Sequence, residues 1–205
     1  MTRASIATTL LVLVAVTAAC SPDRSPSPTP SPAAGTSPSP STSPSAVASV
    51  PASNAAGVVV DAGLLEVLPA TVDGVAVVES ADGETEALSD PTLGEVAVAI
   101  AAGLAIDPAS GEFVYAVVVR LREGAISDER FRDWRDSFDE GACSQAGGVV
   151  GHAEAEMAGR TVYIGSCVGG VLTYHVWLRE PGLLVSASAV GDRRLGERLV
   201  EGLRP

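Results

Sequence analysis

Between Ser21 and Pro51 nearly every residue is Ser, Pro, Thr or Ala, and that composition bars the segment from any packed fold. It offers almost no apolar surface to set against the entropy of ordering the chain, and each proline removes a backbone donor. Proline also biases it toward polyproline II, so about thirty residues at about 3.1 Å each reach on the order of 90 Å. A compact fold is therefore confined to the downstream part. Residues 55–205 have the length of one ordinary domain, enough to bury a core, and are expected to form a single globular unit.

Upstream of the tether the chain reads as an export signal. Met1–Ser5 carries one Arg, Ile6–Ala19 is a largely apolar run, and small residues lead to Cys20. The run is short of the roughly 20 residues that a bilayer span wants. Thr17-Ala18-Ala19-Cys20 resembles the signal junction of bacterial lipoproteins, although Thr17 stands where Leu is usual. The resemblance covers the first twenty residues only. It implies cleavage after Ala19, diacylation of Cys20, and a domain held on the extracytoplasmic side of the cell membrane. Two acyl chains meet the requirement for stable anchoring, each buried methylene contributing about 0.8 kcal/mol. The expected organisation is thus 1–19 signal peptide, 20–54 lipid anchor and disordered linker, and 55–205 globular domain.

Charge and residue usage exclude several functions. The formal net charge is −12, and Ala52–Val119 holds acids from Asp61 to Glu112 without one Arg or Lys. Nucleic acid and anionic lipid both reward basic patches, so neither is an expected partner of the domain. The chain has no lysine, which removes the GKS/GKT phosphate loop, Schiff-base chemistry and Ser-Lys hydrolysis. No serine stands in a Gly-x-Ser-x-Gly elbow, and Asp82-Gly83-Glu84 lacks the further ligands of an EF-hand. No motif asks for a cofactor.

Periodicity predicts an α+β fold, a mainly antiparallel sheet with about three helices packed on one face. Val72–Glu79 reads as a strand or strand pair. Asp90-Pro91 resembles a helix start, and Leu93, Val96, Ala97, Ile100, Ala101 and Leu104 recur at helical spacing, so Pro91–Leu104 is expected to be a helix. The alternation in Val96–Ile100 leaves a buried strand open there. Phe113–Leu121 is a buried strand. Ser127 caps a helix to about Glu140, with Phe131, Trp134 and Phe138 as its core-facing stripe. Arg130, Arg132, Asp133, Arg135, Asp136 and Asp139 are assigned to its solvated face. Val150–Met157, Thr161–Cys167, Val171–Arg179 and Leu183–Val190 form successive hairpins across short Gly-containing turns. Asp192 is expected to cap a last helix, Arg193–Leu203.

With Cys20 acylated, Cys143 and Cys167 are left to pair. An oxidising compartment with one available partner favours a disulfide over a catalytic thiol at Cys143. Only two histidines are present. His152, Glu154 and Glu156 alternate along one strand face and are the nearest thing to a set of cation ligands, but an apolar Ala153, Ala155, Met157 face makes the trio the ordinary wet side of a half-buried strand, and no metal site is expected. His175, in Thr173–Trp177, reads as a satisfied strand histidine.

Two functions fit these observations. One is a non-enzymatic envelope lipoprotein whose domain binds a protein, a glycan or a small apolar ligand. The other is an exported hydrolase using Asp/Glu and one His.

Overall fold

The structure, a computed structural model, describes residues 57–204. Cys20, the signal peptide and the linker lie outside the described residues. The chain begins with β1 (Val59–Val60), a 3-10 helix (Ala62–Val67), the short strands β2 (Thr71–Val72), β3 (Val75–Ala76) and β4 (Val78–Glu79), α1 (Ala81–Leu88) and α2 (Leu93–Val96). The long strands β5 (Ala97–Ile106) and β6 (Phe113–Leu121) lead into α3 (Asp128–Cys143). Strands β7 (Val149–Met157), β8 (Arg160–Cys167), β9 (Leu172–Leu178) and β10 (Leu183–Val190) precede α4 (Leu195–Glu201).

The main sheet is mixed, in the order β1-β5-β6-β10-β9-β8-β7, with β4 also paired to β5. Among the described residues β1 with β5 is the parallel pair and the other pairings are antiparallel. The last four strands are the hairpin series that the glycine-containing turns predict. Val72–Glu79 resolves into several pieces. Asp73-Gly74, both at positive φ, make the two-residue turn joining β2 to β3, and β4 then joins the main sheet.

Three expectations are corrected. First, Pro91–Leu104 is not a helix. Asp90 accepts from the Thr92 N–H and hydroxyl, α2 lasts one turn, and the chain enters β5. Alanine counts as apolar at every phase, so a strand buried on both faces imitates a helical stripe. The long partner β6 decides the matter by pairing with β5 along its length.

Second, helices cover both faces of the sheet. Val114, Ala116 and Val118 of β6 pack with the 3-10 helix and α4, whereas Val117 and Val119 pack with α2 and α3. The physical reason is the near-continuous apolar content of β5, β6 and β10, which leaves no face for water. Each fully buried valine there stabilises the fold by roughly 1.5 kcal/mol or more.

Third, the last helix starts at Leu195, after Arg194 in the left-handed region. Asp192 does not cap it. The Glu112 carboxylate instead accepts from the Asp192 and Arg193 N–H groups, at 3.0 and 3.2 Å.

Candidate functional site

Two alternate positions of β9, one of β10 and one of α3 build the most polar part of the core. Strand alternation turns Thr173 and His175 of β9 toward α3, and Tyr174 and Val176 toward α4. Ser186 of β10 lies opposite His175 in register. From α3, Asp139 enters the same space because it stands on the ridge Phe131, Arg135, Asp139, Cys143, four residues apart, whose ends are buried.

His175 Nε2 lies 2.8 Å from Asp139 Oδ1, and His175 Nδ1 lies 3.0 Å from Ser186 Oγ. Trp134 Nε1, which can only donate, reaches Ser186 Oγ at 2.9 Å. The Thr173 hydroxyl donates to Asp139 Oδ1, and the Gly165 N–H donates to Thr173 Oγ1 at 3.1 Å. The assignment that gives every proton a receiver runs Trp134 N–H to Ser186, Ser186 O–H to His175 Nδ1, and His175 Nε2–H to Asp139. Phe138 meets the His175 ring edge-on at 5.3 Å between centroids. Thr173, His175, Ser186 and Asp139 are each at most 1 % exposed.

Burial acts to raise the Asp139 carboxyl. The hydrogen bonds from His175 and Thr173, with the electrostatic attraction of the His175 and His152 rings, outweigh it, so that carboxyl is held below its ordinary value. Its second oxygen has a different environment. His152 Nε2 approaches Oδ2 to 3.1 Å but outside hydrogen-bond geometry, so Oδ2 is a buried acceptor without a hydrogen bond.

Outside this constellation the α3 face of β8 and β9 is open. A cavity of about 240 Å³ borders the constellation, lined by Arg132, Arg135, His152 and Tyr163 with Asp139 and His175 at its inner wall. It adjoins a cleft of about 960 Å³ that shares Arg132, Arg135 and His152 and extends to Arg160, Trp177 and Arg179. On the other side of α3, an apolar groove of about 750 Å³ runs along α1 and α2, lined by Leu93, Val117, Trp134 and Phe138.

Sequence reasoning placed Asp139 on the solvated face of its helix, and the structure buries it. The signal was its i+4 relation to Phe131 through Arg135 and to Cys143, hidden because a carboxylate is not scored as core. His175 is the satisfied strand histidine that its setting indicated. The candidate cation ligands do not converge: His152 turns to Asp139, and Glu156 accepts from the Thr161 hydroxyl at 2.8 Å. Among the described residues no three His, Cys, Asp or Glu side chains are grouped to hold a metal ion. Cys143 and Cys167 form a disulfide with a Cα separation of 5.2 Å, tying the end of α3 to β8.

No protein-family model, curated protein or solved structure matches this chain. Among the described residues no helix is long and apolar enough to cross a membrane.

Proposed function

We propose that this chain is an exported lipoprotein, held by acylated Cys20 on the extracytoplasmic side of the cell membrane, whose domain binds a partner without chemically changing it. The observation that carries the non-enzymatic part is the closure of the Ser186, His175 and Asp139 constellation. These three side chains have the residue types of a hydrolytic triad, but each is at most 1 % exposed. Ser186 is occupied by Trp134, and its hydroxyl has no place beside it for a scissile carbonyl. Hydrogen bonds at Ser186, at both His175 nitrogens and at Asp139 Oδ1 give the burial the character of a structural polar network, with Asp139 Oδ2 left over.

The partner is an envelope protein, a glycan or a small apolar ligand. The open cleft and the apolar groove supply area for each. The net charge of −12 argues against nucleic acid. Export and anchoring rest on the signal-like residues 1–19, on Cys20 and on the tether that follows.

An exported hydrolase is the second reading, and one observation favours it. His152, with 55 % of its side chain exposed, lies 3.1 Å from Asp139 Oδ2 beside Arg132 and Arg135 in an open cavity. That is an arrangement a general base acting on water could use.

Fractionation of cells expressing the chain and its Cys20→Ala variant tests the anchor. The variant is expected to leave the membrane pellet for the unanchored fraction. Retention at the level of the parent chain would contradict the lipoprotein reading.

A further inference from the structure

The pairing of β8 with β9 covers only part of either strand. It runs from Ser166↔Leu172 to Tyr163↔His175 and stops there. Beyond that point Arg160–Val162 still pair outward with β7, and Val176–Leu178 still pair outward with β10. Their facing edges do not pair with each other among the described residues. The 960 Å³ cleft opens at this place, with Arg160, Thr161 and Tyr163 on one bank and Val176, Trp177 and Leu178 on the other. Free strand edges present main-chain donors and acceptors at a two-residue repeat, and an extended chain is what satisfies such a row.

The charge around the split opposes that of the molecule. Arg132, Arg135, Arg160 and Arg179 line the cleft in a chain of net charge −12. Only Arg179 is in an ion pair, with Asp128 at 2.6 Å, among the described residues. Glu154 and Glu180 are the other acids of the lining. Two of the guanidinium groups lie over aromatic rings. Arg135 Cζ is 4.1 Å from the Tyr163 centroid and 5.4 Å from that of Phe131, and Arg179 Cζ is 3.9 Å from that of Trp177. Stacking occupies the face of a guanidinium and leaves its in-plane N–H groups for a carboxylate. The Arg135 Nε is buried with no hydrogen-bond partner, a donor still unanswered in this cleft.

We propose that the cleft between β8 and β9 binds an extended acidic peptide segment of a partner protein, its main chain along a free strand edge and its carboxylates on Arg132 and Arg135. The inference rests on the binding reading above and names the partner's chemistry. A sulfated or uronic-acid glycan would meet the arginines but would leave the strand edges without partners, which is why a peptide is favoured.

The test is fluorescence anisotropy of a short labelled peptide of alternating Glu and Val, titrated with the full chain at physiological ionic strength. Saturable binding is expected, weakened about tenfold or more by Arg132→Glu and by Arg135→Gln. N-methylation of alternate amides in the peptide should abolish it, and a Lys-Val counterpart should not bind. Arg132 is exposed and unpaired, so its variant keeps the test valid if Arg135→Gln melts early. Equal binding of the Lys-Val or N-methylated peptide, or an unchanged affinity in folded Arg132→Glu, would overturn the proposal. So would a soluble polyanionic glycan that binds more tightly than the peptide and is indifferent to the free edges. Absence of peptide binding would remove the cleft assignment while leaving a binding role for other faces. Recovery of a shortened peptide by mass spectrometry would instead contradict the non-enzymatic reading while leaving the cleft in place.

Discussion

His175 Nε2 and Asp139 Oδ1 are 2.8 Å apart, joining β9 to α3 through two side chains that are each 1 % exposed. Through Ser186 and Trp134 the same contact returns to α3, and through Thr173 and Gly165 it extends to β8. The position of α3 on the sheet is therefore specified by polar geometry as well as by the apolar packing of Phe131. Buried polar groups have this specifying effect when they are hydrogen-bonded, as every polar side-chain atom of the set is except Asp139 Oδ2.

Asp139→Ala removes the acceptor of both His175 and Thr173 and is expected to destabilise the domain by about 3–5 kcal/mol. Chemical denaturation checks it. Asp139→Asn keeps one carbonyl acceptor and should lose less than Asp139→Ala. Equal stability of the parent chain and the alanine variant would contradict the wiring.

Two buried carboxyls are expected to respond to acid in opposite senses. Asp139 is depressed in the fold, so its contribution is present above the ordinary value of 3.8 and is lost as pH falls through its folded value. Glu84 of α1 is raised above its ordinary 4.5 by burial, an effect reduced by the Ala102 N–H and increased by Glu79. Its contribution is thus complete below 4.5 and is lost as pH rises through the folded value. Glu84→Gln should therefore be the more stable protein at neutral pH and equal to the parent in acid, as read from denaturation curves across pH.

Two Gly→Ala changes are expected to have opposite signs. A Cβ at Gly165 would lie 2.4 Å from both Asp139 Oδ2 and Thr173 Oγ1, so Gly165→Ala should destabilise by about 2–3 kcal/mol. Gly141, within α3, has open space at its Cβ position. Gly141→Ala should stabilise by about 0.5–1 kcal/mol through helix propensity. Thermal melts of the two variants against the parent decide both.

Loss of the Cys143–Cys167 bridge, which spans a sequence separation of 24, should remove roughly 3 kcal/mol on the chain-entropy account. The Cys143→Ala/Cys167→Ala variant measured in denaturant under non-reducing conditions checks this. An unchanged midpoint would mean that the bridge does not constrain the unfolded chain.

The parts of the fold that were legible in the sequence are those whose signals are local. Gly-containing turns delimited β7 to β10, Ser127 and the aromatic stripe located α3, and cysteine parity gave the disulfide. The parts that were not legible depend on partners distant in the chain. Ala97–Ile106 carries only the short alternation of Val96–Ile100 as a strand signal, because alanine fits either period, and its state is set by β6. The double cover of the sheet was present in Phe113–Val119, whose unbroken apolar run implies two buried faces. Asp139 was hidden because its role is defined by Thr173 and His175, more than thirty residues away. The interruption of the β8–β9 pairing has no sequence signal, since both strands continue their patterns through it.

The non-enzymatic reading rests most directly on the closed state of His175, and long-range ¹H–¹⁵N correlation of its imidazole measures that state. The prediction is a ring protonated at Nε2 and accepting at Nδ1 near neutral pH, with its N–H exchanging slowly enough to be observed. An Nδ1–H ring, or an Nε2 proton exchanging freely with water, would mean an open histidine available for proton transfer and would contradict the account.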